Sequence, residues 1–251
     1  MTIQYCSDLH LEFRGNKQYL LDNPLKSCGE VLLLAGDIVL FAEMDKHAAF
    51  FDFIADHFEM TYWIPGNHEY YRSDLADRCG SFHEKIRDNV ALVNNVAITR
   101  NNVRFVFSTL WSHISTSSQW TIQQSMSDFH VIKYKDKLFT PADYNEQHKW
   151  CLNFLKTELK QKVEKTIVVS HHAPTFMNYP EKYKGDVLNE AFASEQFNLI
   201  EASTANYWIY GHHHQSVPLF EIGSTKLICN QLGYVHHREH VDFKLDACIV
   251  L

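Results

Sequence analysis

The stretch "TYWIPGNHE", residues 61–69, decides how this chain is read. Its first five residues form a short, largely apolar run with two β-branched and two aromatic side chains. That is the pattern of a strand buried on both faces, as in a sheet covered by helices. Pro65 and Gly66 end the run, and an amide, an imidazole and a carboxylate follow on consecutive residues, Asn67, His68 and Glu69. A strand end needs none of the three to fold. The same arrangement recurs along the chain. "IQYC" (3–6) is followed by Asp8 and His10, and "VLLLAG" (31–36) by Asp37. "TIVVS" (166–170) leads to His171 and His172, and "NYWIY" (206–210) to Gly211, His212, His213 and His214. In α/β sheets, ligands bind outside the carboxyl ends of the strands. Neighbouring strands of this kind would therefore bring all of these groups to one spot.

Composition sets the bounds. The chain has 251 residues, enough for a substantial core. With no repeat, low-complexity tract or linker, it reads as one domain over residues 1–251. Hydrophobic residues make up 45% and charged residues 21%, a globular balance. The net charge of −7 argues against bulk nucleic-acid binding, which needs excess Lys and Arg, while leaving room for a small phosphate held by metal ions. No apolar run is long enough to span a membrane. The opening "MTIQYCSDLH" has neither the basic nor the apolar segment of a signal peptide. The six Cys show no CxxC spacing and are expected to be buried thiols in a reducing compartment, the cytoplasm. His outnumbers Gly, 16 to 9, which favours a metal site.

Helices are expected between the strands. Residues 43–58 place apolar groups on one face, and Leu75, Cys79, Phe82 and Ile86 follow Ser73 at helical spacing. Thr140-Pro141-Ala142-Asp143 carries a capping-box-like start with Pro at its first helical position, leading a helix of about twenty residues. "VALVNNVAIT" and "VRFVFSTL" flank the turn "RNN", and "PLFEI" and "KLICN" flank Gly223-Ser224, a hairpin signal. The expected architecture is a mixed sheet, or two packed sheets, with helices outside. Residues 111–139 form the longest stretch without clear periodicity. Trp111, His113 and Trp120 lie there, to anchor the loop or to stack on a ligand.

The residues that follow the strands define a chemistry. Asp8, His10, Asp37, Asn67, His171, His212 and His214 offer only nitrogen and oxygen, so the set is neither a structural zinc nor an iron–sulfur site. Asp8 and His10 are two apart, as are His212 and His214, so an extended backbone would point each pair one way. Seven ligands are too many for one tetrahedral ion. They suit two ions with one carboxylate between them.

In order, Asp8-Leu9-His10, Gly36-Asp37, Gly66-Asn67-His68-Glu69, His171 and Gly211-His212-His213-His214 resemble the motifs of the calcineurin-like metallophosphoesterases. The resemblance spans residues 8–214. It implies an α/β fold of two mixed β-sheets packed face to face as a sandwich, with helices outside in four layers. It further implies that Asp8, His10 and His214 hold one divalent ion, that Asn67, His171 and His212 hold the other, and that Asp37 bridges them. Manganese, iron or zinc would fill these places. His68 would not ligate; it would donate a proton to the leaving oxygen after attack of a metal-bound hydroxide on a phosphate ester. Glu69 would orient a neighbour or interact with a group that supports a ligating His. The protein phosphatase branch has an Arg where this chain has Pro65, and the purple acid branch has a Tyr ligand that "GDIVLFAE" lacks. The expected substrate is therefore a small or nucleotide-like ester, with a phosphodiester favoured. The alternatives are a phosphomonoesterase and a non-catalytic protein-binding scaffold on the same fold.

Overall fold

The structure, a computed structural model, describes residues 1–251. Its strands are β1 (Thr2–Cys6), β2 (Val31–Ala35), β3 (Met60–Ile64), β4 (Phe82–Arg87), β5 (Val90–Asn94), β6 (Val96–Arg100) and β7 (Val103–Ser108). A short pair follows, β8 (Lys133–Tyr134) and β9 (Lys137–Leu138). Then come β10 (Thr166–Ser170), β11 (Tyr207–Ile209), β12 (Phe220–Ile222), β13 (Thr225–Ile228) and β14 (Cys248–Val250). The helices are α1 (Arg14–Asp22), α2 (Ala48–His57), α3 (Gln119–Ser125), α4 (Asp128–Val131), α5 (Pro141–Glu158) and α6 (Phe197–Ser203).

Two six-stranded sheets result, ordered β14-β1-β2-β3-β5-β4 and β12-β13-β11-β10-β7-β6. Each has four parallel strands at its centre and an antiparallel strand at either edge. The fold is thus the expected pair of mixed sheets with helices outside. Alternate residues explain why it packs. Val31, Leu33, Tyr62, Ile64 and Val93 face Phe105, Phe107, Ile167, Val169 and Ile209 between the sheets. The intervening residues, Leu32, Leu34, Trp63, Leu92, Val106, Val168 and Trp208, lie in the outer core with residues of the helices. Strands buried on both faces need apolar residues at every position, and that produced the continuous runs in the sequence. The α5 start is as expected: the Thr140 side chain accepts from Asp143 N, and the Asp143 side chain accepts from Thr140 N.

Three expectations are corrected. Residues after Ser73 form a single 3-10 turn, Leu75–Arg78, and then strand β4 instead of a helix. Phe82 and Ile86 are four apart, a spacing that satisfies both a helix and a strand. Burial alternates along Phe82–Lys85, and β4 pairs with β5 at the sheet edge. The run "VALVNNVAIT" is two strands in different sheets, broken at Asn95, whose φ of 48° turns the chain from one sheet to the other. Finally, Cys28 and Cys248 form a disulfide with their Cα atoms 6.6 Å apart, leaving Cys6, Cys79, Cys151 and Cys229 as thiols. The two half-cystines are 220 residues apart and meet only because β14 folds back onto β1.

Segment 111–139 carries α3, α4 and the β8–β9 pair. Trp111 is buried against Phe139 and Tyr144 and anchors the loop, whereas Trp120 is exposed. No helix is long and apolar enough to cross a membrane.

Phe105 is fully buried between the sheets, stacked 6.0 Å from Phe107 and tilted against Tyr62 at 5.7 Å. Phe105→Ala is expected to cost about 3–5 kcal/mol, read from the urea unfolding midpoint. A loss below about 1 kcal/mol would mean that the inter-sheet layer is loosely packed.

Candidate metal centre

All eight residues expected at the site lie together at the carboxyl ends of the strands. β1, β2 and β3 of one sheet lead to Asp8, His10, Asp37, Asn67 and His68. β10 and β11 of the other lead to His171, His212 and His214. The local backbone differs from the extended one expected. Asp8, His10, Asp37, His212 and His214 all have positive φ, 56°, 47°, 56°, 80° and 52°. Non-glycine residues adopt this left-handed region at a cost of order 1 kcal/mol or more each, so the surroundings must hold them. The strand-end loops do so by bonding to one another. Asp8 N donates to Gly36 O at 2.9 Å, His10 N to Asp37 O at 2.9 Å, and Gly211 N to His171 O at 2.9 Å. Gly66 is obligatory for space: a Cβ there would run into the Asp37 carboxylate and the His171 ring.

Three groups of ligand-type atoms form, each spanning no more than 4.8 Å: Asp8, His10, Asp37 and His214; Asp37, His171 and His212; and His10, Glu12 and His68. Asp37 belongs to the first two. Its Oδ2 lies 3.7 Å from His10 Nε2 and 3.4 Å from His171 Nε2. That oxygen is buried and has no hydrogen-bond partner.

The second nitrogen of each ligand-type imidazole is committed elsewhere. His10 Nδ1 meets Glu12 Oε1 at 3.0 Å, and His214 Nδ1 meets Glu239 Oε2 at 3.0 Å. His171 Nδ1 meets the Ala35 carbonyl at 2.9 Å, and His212 Nε2 the Ala191 carbonyl at 3.2 Å. Each of these acceptors needs an N–H, which in the neutral rings leaves the inward nitrogens bare. His10 Nε2 and His214 Nε2 are then 2.9 Å apart, and His171 Nε2 and His212 Nδ1 3.0 Å. Lone pairs so close repel unless a cation lies between them. Burial lowers the His171 pKa, yet Asp37 outweighs burial and raises it to about 9, so this spot draws positive charge, either a proton on His171 Nε2 or a cation in its place. The donor set, nitrogen and oxygen only, fits a pair of manganese, iron or zinc ions.

Asn67 and Glu69 show how the "GNHE" segment is built. The Asn67 amide nitrogen donates to Asp128 Oδ1 at 2.9 Å, which turns its carbonyl oxygen inward to 3.3 Å from His171 Nε2. Glu69 is buried and accepts four donors: Asp37 N at 2.9 Å, Ile38 N at 2.7 Å, Gly66 N at 2.6 Å and Trp63 Nε1 at 3.0 Å. It orients its neighbours by clamping the Asp37 loop to the Gly66 loop.

His68 lies outside both groups that contain Asp37. Its backbone N–H donates to Asp37 Oδ1 at 2.9 Å, and its ring stacks on Tyr71 at 4.1 Å. Nδ1 meets Glu12 Oε1 at 3.0 Å, and Nε2 lies 3.4 Å from the Tyr234 hydroxyl. Burial disfavours the charged ring, but Asp37 and Glu12 outweigh it and hold its pKa up at about 9.

Above these groups lies a cleft of about 320 Å³ lined by Tyr71, Tyr179, Tyr183, Phe192 and Tyr234 among others, with no Lys or Arg. His213 lines it, whereas His172 is buried beside Trp111 and His212. Glu12, Asp128 and Glu239 were not singled out in the sequence. Glu12 continues the alternation Asp8, His10, Glu12, a usable signal. Glu239 lies in "HHREH", which reads as a solvated loop, and nothing local marks Asp128.

The calcineurin-like phosphoesterase family model matches residues 1–216, and the chain belongs to that family. A protein of Acanthamoeba polyphaga mimivirus is 30% identical over 265 aligned residues, covering 95% of this chain and 93% of its own. The phosphopantetheinyl hydrolase of Mycobacterium tuberculosis shares the fold, with a TM-score of 0.69 at 16% identity over 99% of this chain and 95% of that one. A dimetal phosphatase of Danio rerio superposes with a TM-score of 0.48 at 14% identity over 92% and 87% of the two chains. The chain is a metal-dependent phosphoester hydrolase.

Asp128 holds Asn67 from behind and also accepts from the Tyr71 hydroxyl at 2.7 Å. Asp128→Ala frees the Asn67 amide to rotate. Manganese titration of the metal-free protein by calorimetry is expected to show one of two ions bound about 10–100-fold more weakly. Unchanged affinity at both positions would mean that Asn67 needs no such support.

Proposed function

We propose that this chain is a phosphodiesterase acting on a small, nucleotide-like ester, carried on one domain over residues 1–251 and working in the cytoplasm. Asp8, His10 and His214 hold one ion, Asn67, His171 and His212 the other, and Asp37 is shared. Two divalent ions at this spot supply an electrostatic clamp for the phosphoryl group and an ionised water. The four free thiols favour a reducing compartment, against the single Cys28–Cys248 bridge.

The observation that carries the diester reading is the absence of Lys and Arg from the cleft lining. A phosphomonoester near neutral pH carries close to two negative charges, and sites for it add cationic side chains to clamp the extra one. A diester carries one. The lining suits that smaller charge, and its five aromatic rings suit an apolar or planar substituent on the phosphate. The scaffold alternative ranks lower because the sequence keeps all seven residues expected to ligate and His68.

His68 is the proton donor of this reading. Its Nε2 points to Tyr234 at the cleft, and the Asp37 and Glu12 carboxylates favour the protonated ring, the form a general acid needs. A nitrophenolate leaves without a proton; an alkyl or nucleoside alkoxide does not. His68→Asn is therefore expected to lose on the order of 10²–10⁴-fold on an alkyl or nucleoside diester and far less on bis-p-nitrophenyl phosphate. The acid form is present below the His68 pKa and lost above it. The alkaline limb of the alkyl-ester profile therefore lies at or below about 9, since cations beside Asp37 can only lower that value, and the variant lacks it. Equal losses on both esters, with metal content unchanged, would mean that His68 positions substrate and is not the acid.

A further inference from the structure

Glu12 has no part in the two groups that share Asp37, yet it touches both halves of the site. Its side chain is 8% exposed, and one oxygen, Oε1, lies 3.0 Å from His10 Nδ1 and 3.0 Å from His68 Nδ1. Its other oxygen, Oε2, is buried without a partner. Both rings therefore hang on a single carboxylate oxygen, and they meet edge to face with centroids 4.4 Å apart. Tyr71 closes the far side of His68 by stacking at 4.1 Å.

An ionised carboxylate only accepts hydrogen bonds, so both nitrogens facing Glu12 carry protons. On His10 this leaves Nε2 bare toward Asp37 and His214. On His68 it fixes the ring plane and leaves Nε2 as the atom that faces the cleft. We propose that Glu12 is a positioning residue for catalysis: it holds His68 with Nδ1 protonated so that Nε2 delivers the proton to the leaving oxygen, and it ties that ring to the ligand His10. This rests on His68 being the acid. In the transfer, the Nε2–H bond breaks as the bond from phosphorus to the leaving oxygen breaks. The leaving oxygen gains the proton, and neutral His68 keeps its Nδ1–H on Glu12.

Three measurements on the holoenzyme test it. In the zinc-loaded protein, ¹⁵N spectroscopy is expected to show a proton on His68 Nδ1 in slow exchange with water; a bare Nδ1 overturns the proposal, and this arm needs no variant. Glu12→Gln keeps the side-chain volume. It is expected to retain two ions by metal analysis and to lose about 10–100-fold in kcat on an alkyl or nucleoside diester, with KM little changed and a much smaller loss on bis-p-nitrophenyl phosphate. Placed in the His68→Asn background, Glu12→Gln is expected to add little, because the ring it positions is gone. Equal losses on both esters, independent losses in the double variant, or release of an ion bound by Glu12 itself would overturn it. If His68→Asn loses equally on both esters, the acid reading fails first and takes this inference with it. If His68→Asn discriminates between the esters and Glu12→Gln does not, only the role of Glu12 fails.

Discussion

The Asp37 carboxylate is the group on which the site depends. It is 1% exposed, and its Oδ2 faces His10 on one side and His171 on the other without a well-formed hydrogen bond to either. Its Oδ1 accepts the backbone N–H of His68. A buried carboxylate oxygen left without a partner costs several kcal/mol unless a cation meets it. Burial pushes the Asp37 pKa up, but His171 and His68 outweigh that and hold it well below the usual carboxylate range. The residue therefore stays ionised between two sets of imidazoles, where it could link two cations, and it ties His68, the proposed acid, to that spot.

Holding that carboxylate in place takes a large part of the fold. Asp37 has a left-handed backbone, as do Asp8, His10, His212 and His214. Such strain persists only where the structure over-determines it. Here the two parallel strand cores supply the rigidity, the loops bond to one another across both sheets, and Glu69 fastens the Asp37 and Gly66 loops with four donors. Glu12, Glu239 and two backbone carbonyls set the outer nitrogens of the imidazoles. The active geometry thus consists of loops of one length and shape, each seated on a strand buried on both faces.

Those strands explain what could be read in advance. Burial on both faces forces unbroken apolar runs, and each run here ends in a group of metal-ligand type, so the strands and the convergence of those groups were legible together. What failed lay where one pattern serves two structures. Phe82 and Ile86 fit a helix and a strand equally, and only the pairing with β5 decides. Asn95 breaks "VALVNNVAIT" through a backbone angle that the residue permits but does not dictate. The spacing of Asp8 and His10 suggested convergence on the assumption of an extended chain, whereas convergence arises from left-handed turns. Asp128 and Glu239 act through tertiary contacts 61 and 25 residues from their partners, and no local pattern encodes such distances.

The most direct test of the shared carboxylate is the Asp37→Asn variant, which keeps the shape of the side chain and removes its charge. Metal analysis and turnover of an alkyl diester are measured together. The account predicts that at least one of the two ions is lost and that the rate falls sharply, since the hydrolytic chemistry needs both. A variant that holds two ions tightly and turns over at the wild-type rate would contradict it.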